Sequence, residues 1–223
     1  MARKALMAQK KCQVAVLISG SGTNLQALID AAAAEDAGFE LCAVISNKAD
    51  AYGLTRARDA GIPAAVVSHR DYADRESFDR ALIECIDGHG AELVVLAGFM
   101  RILTPGFVRH YSGRLLNIHP SLLPKYQGLN THQRALDAGD AEHGVTVHFV
   151  TEELDGGPPI VQAVVPVEPG DTAGILAKRV QQREHSIYPL AVRWFAGGRL
   201  RMDGERVLLD GELLPPSGRV IRD

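Results

Sequence analysis

The run Val14-Ala15-Val16-Leu17-Ile18 is apolar without a break, closes at once on Ser19-Gly20-Ser21-Gly22, and leads into Leu25, Leu28, Ile29, Ala32 and Ala33 at helical spacing. A strand with no polar alternation is buried on both faces, which points to the middle of a parallel sheet. The segment therefore predicts a central strand, a tight glycine turn and a helix, with Thr23 and Asn24 as candidate caps.

The same alternation recurs: strand over 41–45, helix over 54–60, strand over 64–67, helix over 75–86 and strand over 93–97. That order predicts an α/β chain with a doubly wound, mostly parallel sheet covered on both faces. Later segments at Leu115–His119, Thr146–Val150 and Pro159–Val167 alternate with period two, and with the Asp155-Gly156 turn they predict an antiparallel C-terminal part. A helix is expected from about Thr172 to Phe195, bent by Pro189, and Asp203-Gly204 carries the signature of a two-residue hairpin. The 223 residues, 46% hydrophobic, suit one core. The expected organisation is a disordered basic extension at 1–12, a single domain at 13–216 and a tail at 217–223.

A net charge of −3 leaves no basic stripe for nucleic-acid phosphates. Cys12, Cys42 and Cys85 are odd in number and widely spaced, with no CxxC pair, so neither a disulfide framework nor structural zinc is signalled and a reducing cytoplasm fits. The apolar run after the basic opening is too short for a signal segment or a membrane span.

In Gly20-Ser21-Gly22-Thr23-Asn24 the glycines admit close backbone approach, and the first amides of the following helix favour an anion. No Gly-Lys-Ser/Thr follows, and Leu25 stands where a dinucleotide fingerprint has its third glycine, so neither a Walker loop nor NAD is indicated. A plain strand-to-helix connection without ligand accounts for the turn equally well.

Asn117 and His119 lie two apart in Leu115-Leu-Asn-Ile-His-Pro120, so on a strand both project from one face, at the end where open α/β sheets place ligands. If Asp155 reaches the same cleft, its carboxylate favours the imidazolium and makes His119 a usable proton donor near neutral pH. Singly, each has an ordinary structural reading: polar residues at a strand end, and an aspartate shaping a turn. The eight histidines show no HExxH or similar spacing, so no metal is expected. Glu184 falls within the apolar stripe of Leu176, Val180, Ile187, Ala191 and Trp194, where a carboxylate needs a ligand or an internal ion partner.

These motifs resemble the phosphoribosylglycinamide formyltransferase family of purine synthesis. The resemblance runs from Val14 to about Pro216 through Ser19-Gly-Ser-Gly-Thr-Asn-Leu-Gln26, Ser46-Asn-Lys-Ala-Asp50, Ala97-Gly-Phe-Met-Arg-Ile-Leu103, Asn117-Ile-His-Pro-Ser-Leu-Leu-Pro-Lys-Tyr126 and Glu153-Leu-Asp-Gly-Gly-Pro158. It implies a Rossmann-like formyltransferase fold, with Asn117, His119 and Asp155 as a metal-free catalytic group. Glycinamide ribonucleotide would be held by Gly22, Thr23, Asn24, Leu25 and Gln26 with Gln181, Gln182, Arg183 and Glu184. The co-substrate 10-formyltetrahydrofolate would lie against Met100, Arg101, Ile102, Leu103 and Asn117, and against Thr151, Glu152, Glu153, Leu154 and Asp155, with Arg75 near its acidic tail. Both partners are small molecules; no nucleic acid or membrane is implied, and the chain is expected as a monomer or weak homodimer. One departure is Asn130, where related sequences often carry histidine before Thr-His.

Three alternatives remain at this level. A formyltetrahydrofolate deformylase uses a similar triad but carries an extra N-terminal domain, and a tRNA formyltransferase needs a second basic domain. A noncatalytic nucleotide-binding module leaves Asn117, His119 and Asp155 unexplained.

Overall fold

Val14, Val16 and Ile18 pack into one apolar core and Ala15 and Leu17 into another, all with no exposed surface, because their strand lies at the centre of a sheet with helices on both faces. The computed structural model describes residues 10–222. Of the expected 1–12 extension, residues 1–9 lie outside the described residues, and Cys12 already opens the first strand.

The elements are β1 (Cys12–Ile18), α1 (Thr23–Ala32), β2 (Phe39–Ser46), α2 (Gly53–Asp59), β3 (Ala64–Val66), α3 (Arg75–Gly88), β4 (Leu93–Leu96), α4 (Pro105–His110), β5 (Leu115–His119), α5 (Thr131–Asp137), β6 (Glu142–Phe149), β7 (Pro159–Pro166), α6 (Ala173–Ala196), β8 (Leu200–Asp203), β9 (Arg206–Leu209), β10 (Glu212–Leu213) and β11 (Arg219–Ile221). The main sheet runs β11-β7-β6-β5-β4-β1-β2-β3, and β10-β9-β8 form a small second sheet. Strands β5, β4, β1, β2 and β3 are parallel, β6 is antiparallel to both neighbours, and β11 is parallel to β7.

The chain winds outward from β1 to β3 and returns through α3 to place β4 on the other side of β1. The loops after β1 and β4 therefore diverge at a topological switch point, where open α/β sheets form a crevice beyond the carboxyl ends of their strands. In register, Asn117 stands beside Leu96 and Leu96 beside Leu17. Asn117 is thus two strand spacings, roughly 10 Å, from the end of β1.

Several local expectations are corrected. Thr23 and Asn24 do not cap α1: Gly22 holds the N-cap in the left-handed region at φ 71°, with no side-chain cap bond. A Cβ there would lie 2.8 Å from the Gly53 Cα, so a side chain is barred as well as strained. The two-residue loop of the small hairpin is Gly204-Glu205, because Asp203 still pairs with Arg206 and glycine takes the first loop position. The segment expected as a tail carries β11. Short helices α4 and α5 went unforeseen, being too brief to show a helical period. Helix α6 starts at the Thr172 cap, whose Oγ1 accepts from the Ile175 amide at 3.3 Å, and contains Pro189 as expected. Among the described residues no helix is long and apolar enough to cross a membrane.

Candidate active site

Strand β5 turns Leu116 and Ile118 into the core shared with α6, which leaves Asn117 and His119 on the opposite face. Pairing with antiparallel β6 sets His148 directly across from Asn117 and Thr146 across from His119. The β6–β7 loop then folds back over this face. Its residue Asp155 adopts φ 51°, a left-handed conformation that aspartate tolerates better than most residues.

These placements bring Asn117, His119 and Asp155 into one cluster. Asn117 Nδ2 lies 3.2 Å from His148 Nε2, and His148 Nδ1 lies 2.8 Å from the Phe149 carbonyl oxygen. A carbonyl only accepts, so Nδ1 carries the His148 proton and Nε2 accepts from the amide of Asn117. Burial pushes the His148 pKa down to about 4, which keeps the ring neutral in that role. His119 Nε2 donates to the Tyr126 carbonyl at 2.9 Å, and its Nδ1 stands 3.4 Å from Asp155 Oδ2. Acceptors thus face both His119 nitrogens. Asp155 Oδ2 also accepts from the Gly128 amide at 2.9 Å, and its side chain is 8% exposed.

The wall behind His119 is built by Thr146. Its hydroxyl donates to the Ser121 carbonyl at 2.7 Å and accepts from the Leu123 amide at 3.0 Å, fixing the Pro120–Tyr126 segment that supplies the Tyr126 carbonyl. Gln162 Nε2 joins this network, 2.8 Å from the Leu123 carbonyl.

The residues expected to hold a phosphorylated sugar gather where α1 meets α6. Thr23 Oγ1 accepts from Gln181 Nε2 at 3.2 Å, and Asn24 Nδ2 donates to Glu184 Oε2 at 2.7 Å. Those bonds explain why neither side chain turns back to cap α1. Asn24 is the internal partner that Glu184 lacked in the sequence, yet burial still raises the Glu184 pKa and Asn24 Oδ1 is buried without a partner. Leu25 is fully buried in the core, so only its backbone can face a ligand. Gln26 accepts from Arg56 at 3.0 Å, Gln182 is exposed, and Arg183 lies on the same turn of α6.

Of the residues expected to line a folate, Met100 and Ile102 are 68% and 63% exposed, and Leu154 is 56% exposed. Leu103 packs against the core below them. Arg75 donates to the Ile102 carbonyl at 2.7 Å, and Arg101 Nε is buried without a partner. Thr151, Glu152 and Glu153 precede Asp155 in the β6–β7 loop, with Glu152 paired to Arg109 at 2.7 Å. A groove of about 610 Å³ between α1 and α6 reaches Thr23 and Gln26, and another of about 660 Å³ runs from Thr151 to Pro216; Asn117 lines neither. Among the described residues no group of His, Cys, Asp and Glu is arranged to hold a metal ion.

Sequence reasoning assigned no role to His148, Thr146 or Ser19. The signal for the first two was present, since residues 146 and 148 share a strand face as residues 117 and 119 do, but the antiparallel register that opposes them is not readable from one strand.

Residues 12–192 match the formyl transferase family. The chain is 58% identical over 205 residues to phosphoribosylglycinamide formyltransferase of Escherichia coli K12, covering 92% of this chain and 97% of that protein. It is 52% identical over 206 residues to the Haemophilus influenzae protein of the same name, with 92% and 97% covered. The structure of phosphoribosylglycinamide formyltransferase from Coxiella burnetii in complex with CHES superposes with a TM-score of 0.91 at 53% identity, over 95% of this chain and 99% of that one.

Proposed function

The chain belongs to the formyl transferase family, among the phosphoribosylglycinamide formyltransferases, and from that premise we propose that it moves the formyl group of 10-formyltetrahydrofolate onto the amine of glycinamide ribonucleotide in cytoplasmic purine biosynthesis, using Asn117, His119 and Asp155. The observation that carries the reading is His119 with an acceptor at each nitrogen beside an amide anchored by a neutral histidine.

The substrate amine attacks the formyl carbon, and the carbonyl oxygen becomes an oxyanion. One hydrogen of the Asn117 amide is engaged by His148; the other is free to donate to that oxygen. The His119 Nε2–H that here faces the Tyr126 carbonyl supplies the second donor, and Asp155 keeps the ring charged. Collapse of the tetrahedral intermediate breaks the bond to the folate nitrogen, which takes a proton, while the former amine nitrogen loses one. Phosphate and ribose lie at Gly22–Gln26 and Gln181–Glu184, where the α1 amides favour an anion and the Glu184 carboxylate accepts from a hydroxyl. The folate lies along Met100–Leu103 and Thr151–Asp155.

A spectroscopic assay with 10-formyltetrahydrofolate, with and without glycinamide ribonucleotide, tests this. Release of the deformylated folate only when the ribonucleotide is present supports transfer. Release without it identifies hydrolysis to water, and no release in either case leaves a binding protein; both outcomes overturn the proposal.

A further inference from the structure

Ser19 is the first residue after β1 and stands at the floor of the crevice between the glycine turn and the loop after β4. Its amide donates to the Gly98 carbonyl at 3.1 Å, its Oγ accepts from the Met100 amide at 2.8 Å, and its hydroxyl hydrogen goes to Asn47 Oδ1 at 2.6 Å. Asn47 in turn is 3.3 Å from His69 Nδ1 through its Nδ2. Ser19 and Asn47 are 5% and 3% exposed. A buried hydroxyl that both donates and accepts is held in one orientation, so it fixes what it binds.

We infer that Ser19 is a positioning residue for the formyl donor, whose hydroxyl holds the start of the Met100–Leu103 loop in the folate-binding conformation. The inference rests on the placement of folate along that loop. The far end of the loop has independent anchors on α3, where Arg75 holds the Ile102 carbonyl and Asp79 Oδ2 accepts from the Thr104 amide at 2.6 Å. The near end is held through the Met100 amide, which donates to the Ser19 hydroxyl oxygen. The glycine turn, by contrast, keeps other ties: the Gly53 amide donates to the Gly20 carbonyl at 3.0 Å, and Arg56 Nε donates to the Ser21 carbonyl at 2.9 Å. Loss of the hydroxyl therefore loosens the folate side of the crevice and spares the ribonucleotide side.

The test is steady-state kinetics of Ser19→Ala, Ser19→Thr and Ile102→Ala, with thermal unfolding of each. Ser19→Ala should raise KM for 10-formyltetrahydrofolate about tenfold, as expected for one lost hydrogen bond. KM for glycinamide ribonucleotide should stay within about twofold and kcat at saturation should be largely kept. Ser19→Thr, which retains the hydroxyl, should restore the folate KM even if its melting temperature falls. A purely structural serine would lower the melting temperature or the amount of active enzyme and leave both KM values alone, which would overturn the inference. If Ile102→Ala raises the folate KM and Ser19→Ala does not, the role of Ser19 falls while the loop assignment stands. If neither variant changes it, the placement of folate on this loop falls and takes the inference with it.

Discussion

His148 accepts from the Asn117 amide at 3.2 Å only because its other ring nitrogen is committed to the Phe149 carbonyl. Protonating His148 would replace that acceptor with a second donor and turn it against the amide. The unfolded ring takes up a proton from about pH 6.5 downward, whereas the folded ring does so only near 4. His143, pushed to about 4 by burial and by the neighbouring His132, behaves alike. Between these limits the unfolded chain binds more protons, so stability is full above the unfolded value and is lost as pH falls towards the folded one. Urea unfolding at steps from pH 7 to 4.5 should show this loss, with His148 alone accounting for about 3 kcal/mol at its low-pH limit. In His148→Leu the slope against pH should flatten.

Replacing Asp155 by Asn keeps an acceptor for the Gly128 amide but removes the charge facing His119 Nδ1. Turnover should fall roughly a hundredfold to a thousandfold with little change in either KM. Nitrogen chemical shifts of the His119 ring should differ between the natural protein and the variant. A ring unchanged by the substitution would remove Asp155 from the proposed mechanism.

Glu184 lies at the junction of α1 and α6 with its carboxyl made less acidic by burial. Glu184→Gln removes a desolvated charge while leaving an acceptor for Asn24, so melting should occur a few degrees higher. The same change should raise KM for glycinamide ribonucleotide about tenfold or more, because a hydrogen bond to a charged acceptor is lost. Differential scanning calorimetry and substrate titration read the two opposite effects on one variant.

Thr146→Val preserves shape but leaves the Leu123 amide and the Ser121 carbonyl without their shared partner. A loss of about 2 kcal/mol in denaturant unfolding is expected, together with reduced turnover through displacement of the Tyr126 carbonyl from His119. Thr146→Ser should stay close to the parent in both measurements.

Gly157→Ala addresses the loop that delivers Asp155. A Cβ at this position would collide with the Phe149 carbonyl oxygen, which is backbone and cannot swing aside. The variant should unfold at lower denaturant and lose activity together, as judged by circular dichroism and assay of the same preparation.

The parallel half of the sheet was legible because unbroken apolar strands, glycine turns and amphipathic helices each carry a period. Asn117 and His119 were readable for the same reason, since alternation along one strand sets which side chains share a face. What lay beyond reach depended on register between strands: His148 opposite Asn117, Thr146 opposite His119, and the return of β11 beside β7. Caps failed at α1 because Thr23 and Asn24, good capping types in isolation, are drawn off by α6, far along the chain. Asn130 is another case, its departure at a familiar motif coinciding with a left-handed N-cap at φ 58°, a conformation asparagine adopts readily.

Strand β11 is three residues long, yet it is what stands between β7 and solvent at that side of the main sheet. Cutting the chain after Pro216 would bare the Val161-Gln162-Ala163 edge of an otherwise apolar strand, a template for a second molecule to add its own strand. Shortened versions made for crystallisation or display should therefore clump as they are concentrated, long before their catalytic machinery is disturbed, and fusions are better built beyond Arg222 than in place of the last strand.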